Sequence, residues 1–444
     1  MGTYLRHGLP CLAVWCLYLA GFWPGLLTED SFEQWRDLVT GELRGYHSPL
    51  QTAINWLITR VWLSPAPIAL AQIVALALAY CAVVRECERR HASPRWLAAT
   101  TVVFALLPAN GFLVVTLWKD VPYTIAVLGL VALSLRLIRA PASLPEGAMP
   151  WVLAGTLTAV ATFRHNGLPT AGLFLVALIW ALRPPLRTAV RVVGVSCAGV
   201  LLVQVGLFRL LDVRPFHAAY RDQLVLHQIA AAMRPGTAFD QADFAAIGRA
   251  MPMATWLASY RCESVIPTLS GVLEHNDEAQ YAAVRPQLYR AWTHALTRTP
   301  QAIARHHACV SAMFWNPGAS VYLVATEIVP NGFGMQTRPL LPVAHQALLG
   351  LHAATTRMPW RSVVWGPALH LWMLLGGVAY VATRTRSRAS LLPFAPAVAH
   401  GLVLFLAIPS AEYRLQYPVV LMGVLTPLLA HALGRAERAQ RIDR

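Results

Sequence analysis

LPCLAVWCLYLAGFWPGLL, residues Leu9 to Leu27, runs directly into Thr28-Glu29-Asp30-Ser31-Phe32-Glu33-Gln34-Trp35, and the polar stretch closes with Tyr46-His47-Ser48-Pro49-Leu50. An apolar run of this length crosses a bilayer, which takes roughly 20 residues as a helix. It is longer than the apolar core of a cleavable leader and has no small-residue cleavage pattern, so it reads as a retained helix. Carboxylates at the edge of a membrane are costly unless they are paired or used. Glu29 and Asp30 therefore mark the mouth of a site rather than an ordinary solvated turn.

The rest of the chain repeats the alternation. Hydrophobic residues make up 56% of the 444 positions and charged residues 13%, where a soluble domain carries roughly 25% charged residues. The mean hydropathy is +0.49. These proportions exclude an ordinary soluble enzyme and predict an all-α polytopic membrane protein with about ten transmembrane helices, near 9–27, 66–84, 96–115, 121–139, 151–163, 167–182, 189–211, 362–382, 391–409 and 415–433. Counted with the N-terminus inside, the inner turns carry Arg85, Arg89, Arg90 and Arg95, then Arg136 and Arg139, then Arg183, Arg187 and Arg191. With Arg6, the last inner turn and the tail they reach seventeen arginines. The short outer turns carry one basic residue each, Lys119, Arg164 and Arg414. This asymmetry sets both termini in the cytoplasm and accounts for much of the formal net charge of +15. No basic stripe with interleaved aromatics stands apart from it, so no nucleic-acid partner is expected.

Three parts follow. Residues 1–211 hold the first seven spans, with a first outer loop at 28–65 in which Ser48 to Leu63 reads as an interfacial helix. Residues 212–361 form a mostly helical outer region, with amphipathic stretches from Asp240 to Trp256 and from Ala279 to Ala304 broken by Pro235, Pro252, Pro267 and Pro300. Within it, Ala308 to Ile328 is apolar but broken by Asn316-Pro317-Gly318, and is assigned to the outer surface. Residues 362–444 hold the last three spans and a basic tail. Five of the seven cysteines lie in or beside apolar segments and read as packing residues. Cys262 and Cys309 share the outer region, where an oxidising compartment permits a disulfide; the sequence leaves their pairing open. No Cys or His spacing suggests a metal, and the adjacent His306 and His307 diverge on a helix.

Four polar clusters fall on the outer side: Glu29-Asp30, Lys119-Asp120, Arg164-His165-Asn166-Gly167 and Glu412-Tyr413-Arg414. Lys119 is the only lysine among 36 Lys and Arg residues, and a compact charge on a flexible stem is what distinguishes it from arginine. A carboxylate at a low-dielectric edge serves as general base, with burial raising its pKa toward neutrality. Cations beside it stabilise charge developing on a departing phosphate; Lys119, Arg164, His165, His47 and Arg414 are the available donors.

In this arrangement the chain resembles the GT-C class of integral-membrane glycosyltransferases, which use polyprenyl-phosphate-linked sugars and include protein O-mannosyltransferases and lipid A aminoarabinose transferases. That class has a first span, an outer loop with an acidic catalytic residue and interfacial helices, and a second acidic residue in the next outer turn. The matching positions are Asp30 in Glu29-Asp30-Ser31, the Pro49-Leu50 that opens an interfacial helix, Lys119-Asp120, and Arg164-His165-Asn166-Gly167. The resemblance covers roughly residues 1–211 and the turn Glu412-Tyr413-Arg414-Leu415-Gln416-Tyr417-Pro418; nothing in 212–361 matches it. It implies an inverting transfer at the periplasmic face of a bacterial inner membrane. The sugar would pass from a polyprenyl-phosphate donor to a hydroxyl of an envelope glycan, lipid or protein acceptor. Asp30, or Glu29 beside it, would deprotonate the acceptor, and Asp120 would orient Lys119 or a sugar hydroxyl. Lys119, Arg164 and Arg414, with His47 and His165, would hold the donor phosphate, and Asn166, Glu412 and Tyr413 would touch substrate. No cofactor or metal is expected.

A lipid-linked sugar flippase or small-molecule transporter is the alternative. It would place ionisable groups near mid-bilayer on broken, symmetric helices, whereas the mid-span polar residues Gln72, Gln204 and His370 read as packed. A polymerase or ligase using a diphosphate-linked donor is a third reading, in which Glu29, Asp30 and Asp120 would supply oxygens to a divalent ion.

Overall fold

The computed structural model describes residues 2–144, 146–233, 239–385 and 387–442, with side chains described to residue 435. Among them every regular element is helical, and strand-like pairing is limited to isolated bridges. The chain divides into two compact units. The first comprises the residues up to Arg214, Leu323–Val403 and those from Tyr413 onward; the second comprises Pro215–Tyr322 and Leu404–Glu412. The stretch 212–361 is thus shared between them.

The first unit opens with α1 (Leu9–Gly21), α2 (Glu29–Thr40) and α3 (Pro49–Val61), followed by α4 (Pro65–Glu88), α5 (Pro94–Leu106) and α6 (Pro108–Val114). A serine-proline pair opens α3, α4 and α5, with proline in the first turn, where its missing N–H costs nothing. Ser48 and Ser64 accept hydrogen bonds from the backbone N–H groups of Gln51 and Ala66. Next come α7 (Asp120–Arg139), α8 (Met149–Phe163), α9 (Gly167–Leu182) and α10 (Leu186–Leu201), and the chain ends on a helix at Tyr417–Ile442.

Among the described residues five helices are long and apolar enough to cross a membrane: Pro65–Glu88, Asp120–Arg139, Leu186–Leu210, Arg388–Leu406 and Tyr413–Arg435. A sixth is counted if α5 and α6, bent by 54°, form one span. The first apolar segment, expected to be helical to Leu27, stops at Gly21, because Pro24 and Gly25 at φ +122° end it.

The bend between α5 and α6 sits at Pro108, which has no N–H to continue the ladder. Unpaired carbonyls are costly in hydrocarbon, and side chains take them up. Asn110 Nδ2 donates to the Phe104 carbonyl at 2.8 Å, and Gln72 Nε2 donates to those of Val114 and Thr116 at 2.9 and 3.0 Å. Lipid is as apolar as leucine, so helix packing here relies on shape rather than on expelling water. Tyr80 stacks on Phe104 at 4.1 Å, and Gly111 leaves no room for a Cβ against the Tyr18 ring.

The second unit is a small helical body closed on Trp256, Tyr281 and Leu288. Its helices at Gln241–Ala250 and Glu278–Arg298 begin with reciprocal caps, Asp240 with Asp243 and Asp277 with Gln280. Cys262 and Cys309 form a disulfide. The interrupted stretch at Asn316-Pro317-Gly318 is not helical: the helix Pro300–Val310 ends before it. The carboxylates of Asp240 and Asp243 gather around His294, but the cap and the Asp243–Arg290 ion pair at 3.2 Å account for them.

Candidate functional site

Two distant backbone segments are spliced in the first unit. The Leu26 N–H donates to the Val115 carbonyl at 2.9 Å, and the Leu26 carbonyl accepts from Leu117 N–H at 3.0 Å. Gly25 permits this approach, since a Cβ there would lie 3.1 Å from the Val115 oxygen. One helical turn further on, Ser31 Oγ donates to the Leu117 carbonyl at 3.1 Å and Trp118 Nε1 donates to Thr28 Oγ1 at 2.7 Å. Thr28 and Ser31 also form the capping box of α2. The same residues therefore start the helix that carries Asp30 and tie it to Trp118-Lys119-Asp120, where α7 begins.

Arg414 joins them from the turn before the last helix. Its Nη1 lies 2.5 Å from Asp30 Oδ2 and 3.9 Å from Asp120 Oδ2, and its guanidinium covers the Trp118 ring at 4.7 Å. Arg164, from the α8–α9 turn, places Nη1 2.5 Å from Asp120 Oδ1 and lies 5.5 Å from the Tyr123 ring. That turn requires glycine at 167, where a Cβ would fall 1.9 Å from the Val160 carbonyl oxygen. Tyr123 OH lies 2.9 Å from His400 Nδ1, and His400 Nε2 lies 2.9 Å from the Leu415 carbonyl. A carbonyl only accepts, so Nε2 carries the proton and Nδ1 accepts from Tyr123.

Four turns far apart in sequence thus bring Asp30, Lys119, Asp120, Arg164 and Arg414 together. Asp120 is 1% exposed. Although Arg164 is close, neither Asp120 oxygen accepts a well-aligned hydrogen bond among the described residues. Lys119 sits over the Tyr46 ring at 4.6 Å; burial pulls its pKa down, and the charges of Asp30 and Asp120 oppose that pull. His47 is buried, with Nε2 3.4 Å from Glu33 Oε2; burial lowers its pKa against the opposing pull of Glu33, which keeps the ring neutral near pH 7. His165 Nε2 lies 3.2 Å from the Tyr46 carbonyl.

Several expectations are corrected. Burial does push the Asp30 carboxyl up, as anticipated, but the charges of Arg414 and Lys119 outweigh it and hold that carboxyl well below the usual carboxylate range. Glu29 is exposed and forms no ion pair among the described residues, so Asp30 is the acidic partner of the cluster. Tyr413 is fully buried, donates its hydroxyl to the Val364 carbonyl and packs on Trp365; it is a packing residue with no face for substrate. Glu412 belongs to the second unit, where it bridges to Tyr322. Asn166 flanks the start of α9 with its Nδ2 buried and without a hydrogen-bond acceptor among the described residues.

Sequence reading missed Trp118, Tyr46, Glu33, Tyr123 and His400. Trp118 and Tyr46 carried a signal, because each adjoins a charged or titratable site residue in sequence and an aromatic face attracts a cation. The partnership of His400 with Tyr123 had no local signal.

A mostly apolar groove of about 580 Å³ lies among α3, α4, α7 and α8. Small residues open it: Ala71, Ala75 and Ala79 recur every fourth position on α4, and Gly129 and Gly155 face it from α7 and α8. Pro122 and Phe163, close in sequence to Asp120 and Arg164, line it as well. Gln51 and Asn55 from α3 add polar groups, and Gln51 accepts from Gln34 of α2 at 3.3 Å. No known family model matches the chain, and no curated protein or solved structure is significantly similar to it.

Proposed function

We propose that the protein is an inverting glycosyltransferase of the GT-C type, moving a sugar from a polyprenyl-phosphate donor to an acceptor hydroxyl at the outer face of a bacterial inner membrane. The single observation that carries this reading is the carboxylate–cation cluster of Asp30, Asp120, Arg164, Arg414 and Lys119 beside an apolar groove. A lipid phosphate has the chemistry of that pair: its tail suits the groove, and its charge suits the guanidinium groups. The resemblance to GT-C enzymes rests on these residues alone. The ten-span topology, with both ends on the arginine-rich side, belongs to the same proposal. It is supported by the Cys262–Cys309 disulfide, a bond that persists in oxidising compartments.

In this mechanism Arg414 has two roles. In the resting site it holds Asp30 ionised and strongly paired, which makes Asp30 a poor base. A donor phosphate competes for Arg414 and Lys119, frees Asp30 and lets its proton affinity rise. Asp30 then takes the proton from the acceptor hydroxyl as that oxygen attacks the anomeric carbon and the bond to the phosphate oxygen breaks. The phosphate leaves with its charge neutralised by Arg164, Arg414 and Lys119.

The broken α5–α6 helix is a feature shared with transporters. Its Phe104 and Val114 carbonyls, and that of Thr116 just beyond it, accept side-chain amides from Asn110 and Gln72, so the break is satisfied within the protein. The test is transfer of labelled sugar from a polyprenyl-phosphate-sugar pool in proteoliposomes, comparing wild type with Asp30→Asn, with and without EDTA. Transfer that needs Asp30 and survives chelation supports the reading. Donor that only changes leaflets, whatever stands at position 30, overturns it in favour of a flippase.

A further inference from the structure

The far ends of α4 and α7 carry a second cavity, of about 450 Å³, that the proposed transfer does not use. α7 begins at Asp120 and lines the cavity from Ala132 to Arg139, so at 1.5 Å per residue the cavity lies about 20–30 Å along the helix from Asp120. Arg85 on α4 and Arg89 just past its end reach it, with Arg136 and Arg139 from α7. Spacings of four and three residues put each pair on one helix face, and the two helices pack together. Ala82 and Leu133 supply apolar wall.

The cations are not all used. Glu86 pairs with Arg89 at 2.5 Å and with Arg139 at 3.3 Å. Arg85 lies 5.8 Å from the Tyr4 ring, and neither it nor Arg136 forms an ion pair among the described residues; both are exposed. A helix C-terminus favours cations, which is the ordinary reason for arginines in a last turn, but each end contributes only about half a negative charge. Two helix ends and Glu86 therefore offset about two of the four positive charges lining the cavity. About two remain, in a concavity whose mostly polar lining includes apolar wall at Ala82, Ala132 and Leu133. It lies where two helices long and apolar enough to span a membrane come to their ends.

We propose that this cavity binds the headgroup of an anionic phospholipid, with phosphate oxygens held by Arg85 and Arg136 and the first methylenes against Ala82 and Leu133. Guanidinium forks match phosphate oxygens, and basic pockets between spanning helices suit such lipids. The residual charge favours a headgroup with two phosphates over one with a single phosphate.

The test uses the full chain in detergent micelles, titrated with cardiolipin, phosphatidylglycerol or phosphatidylcholine, with bound lipid read by native mass spectrometry. Cardiolipin should bind first and phosphatidylcholine last. Arg85→Gln/Arg136→Gln should weaken the anionic lipids about thirtyfold, from about fivefold per arginine near a membrane surface, and leave phosphatidylcholine unchanged. Arg136→Gln alone, about fivefold weaker, stands in if the double variant does not fold. Equal binding of the three lipids, or unchanged anionic-lipid binding by the variants, would overturn the proposal. Inorganic phosphate is titrated separately; displacement of cardiolipin by phosphate alone at comparable concentration would assign the cavity to a free anion and overturn the lipid reading.

Discussion

Asp222 of the second unit and Asp120 of the first are both carboxylates at 1% exposure facing arginine, yet they are built to opposite ends. Every acceptor direction of Asp222 is filled. Arg285 grips both of its oxygens at 2.7 and 3.0 Å, Tyr281 donates to one at 2.9 Å and Tyr289 to the other at 2.7 Å. Asp120 has cations at 2.5 and 3.9 Å and no well-aligned donor among the described residues. A saturated buried carboxylate stabilises a fold; one surrounded by charge but short of hydrogen bonds is arranged for a group that arrives later. The network around Asp222 is therefore structural, and the cluster around Asp30 and Asp120 is the better candidate for chemistry.

The largest effect that would break this contrast is on turnover. Asp30→Asn should lower sugar transfer per folded molecule by about 10²–10⁴-fold, the usual contribution of a general base. Wild-type turnover in the same proteoliposome assay would remove Asp30 from the chemistry. Asp222→Ala should do the reverse, costing stability of about 2 kcal/mol through lost hydrogen bonds to a charged group. Arg285 is 39% exposed and is rehydrated when its partner goes, which keeps the cost at that modest level. Denaturant unfolding of the purified chain reads it, and turnover per folded molecule should not change.

A subtler test follows the proton. Arg414→Gln removes the leading charge that holds Asp30 down, so the Asp30 carboxyl should titrate higher and the acidic limb of the pH–transfer profile should move to higher pH. An unmoved limb would separate Arg414 from the base. The smallest effect concerns His47. Below about pH 6.5 the unfolded chain binds a proton there that the buried ring resists, so stability falls as pH drops. His47→Gln should flatten that fall below about pH 6.5; thermal unfolding on either side of that pH would show whether it does.

Much of the site was legible because its parts obey one rule, charge at the ends of apolar segments. That rule picked out Asp30, Lys119, Asp120, Arg164 and Arg414 from four separate turns. It could not separate Glu29 from Asp30, because which of two neighbouring carboxylates faces inward depends on where the capping box of Thr28 and Ser31 starts the helix. It also misread Tyr413, whose neighbour Arg414 turns to the cluster while Tyr413 turns to Trp365; within a tight helical turn adjacent side chains diverge. The early end of α1 was announced by Pro24 and Gly25 and was overridden by the apolar character around them. The span count was harder, since α8 and α9, at 15 and 16 residues, are apolar but shorter than a usual crossing. The groove was invisible because it arises from small residues on three helices that no local pattern connects.

The splice between Leu26 and Thr116 also bears on how this chain tolerates changes of length. Substitutions near it keep the spacing between the capped start of α2 and Trp118-Lys119-Asp120, because backbone groups carry part of the registration. An inserted or deleted residue between Leu117 and Asp120 has no such protection. It would turn α7 by about 100° relative to the Leu117 anchor and swing Asp120 away from Arg164 and Arg414. Variation in length should therefore be rejected at this joint even where variation in residue type is accepted.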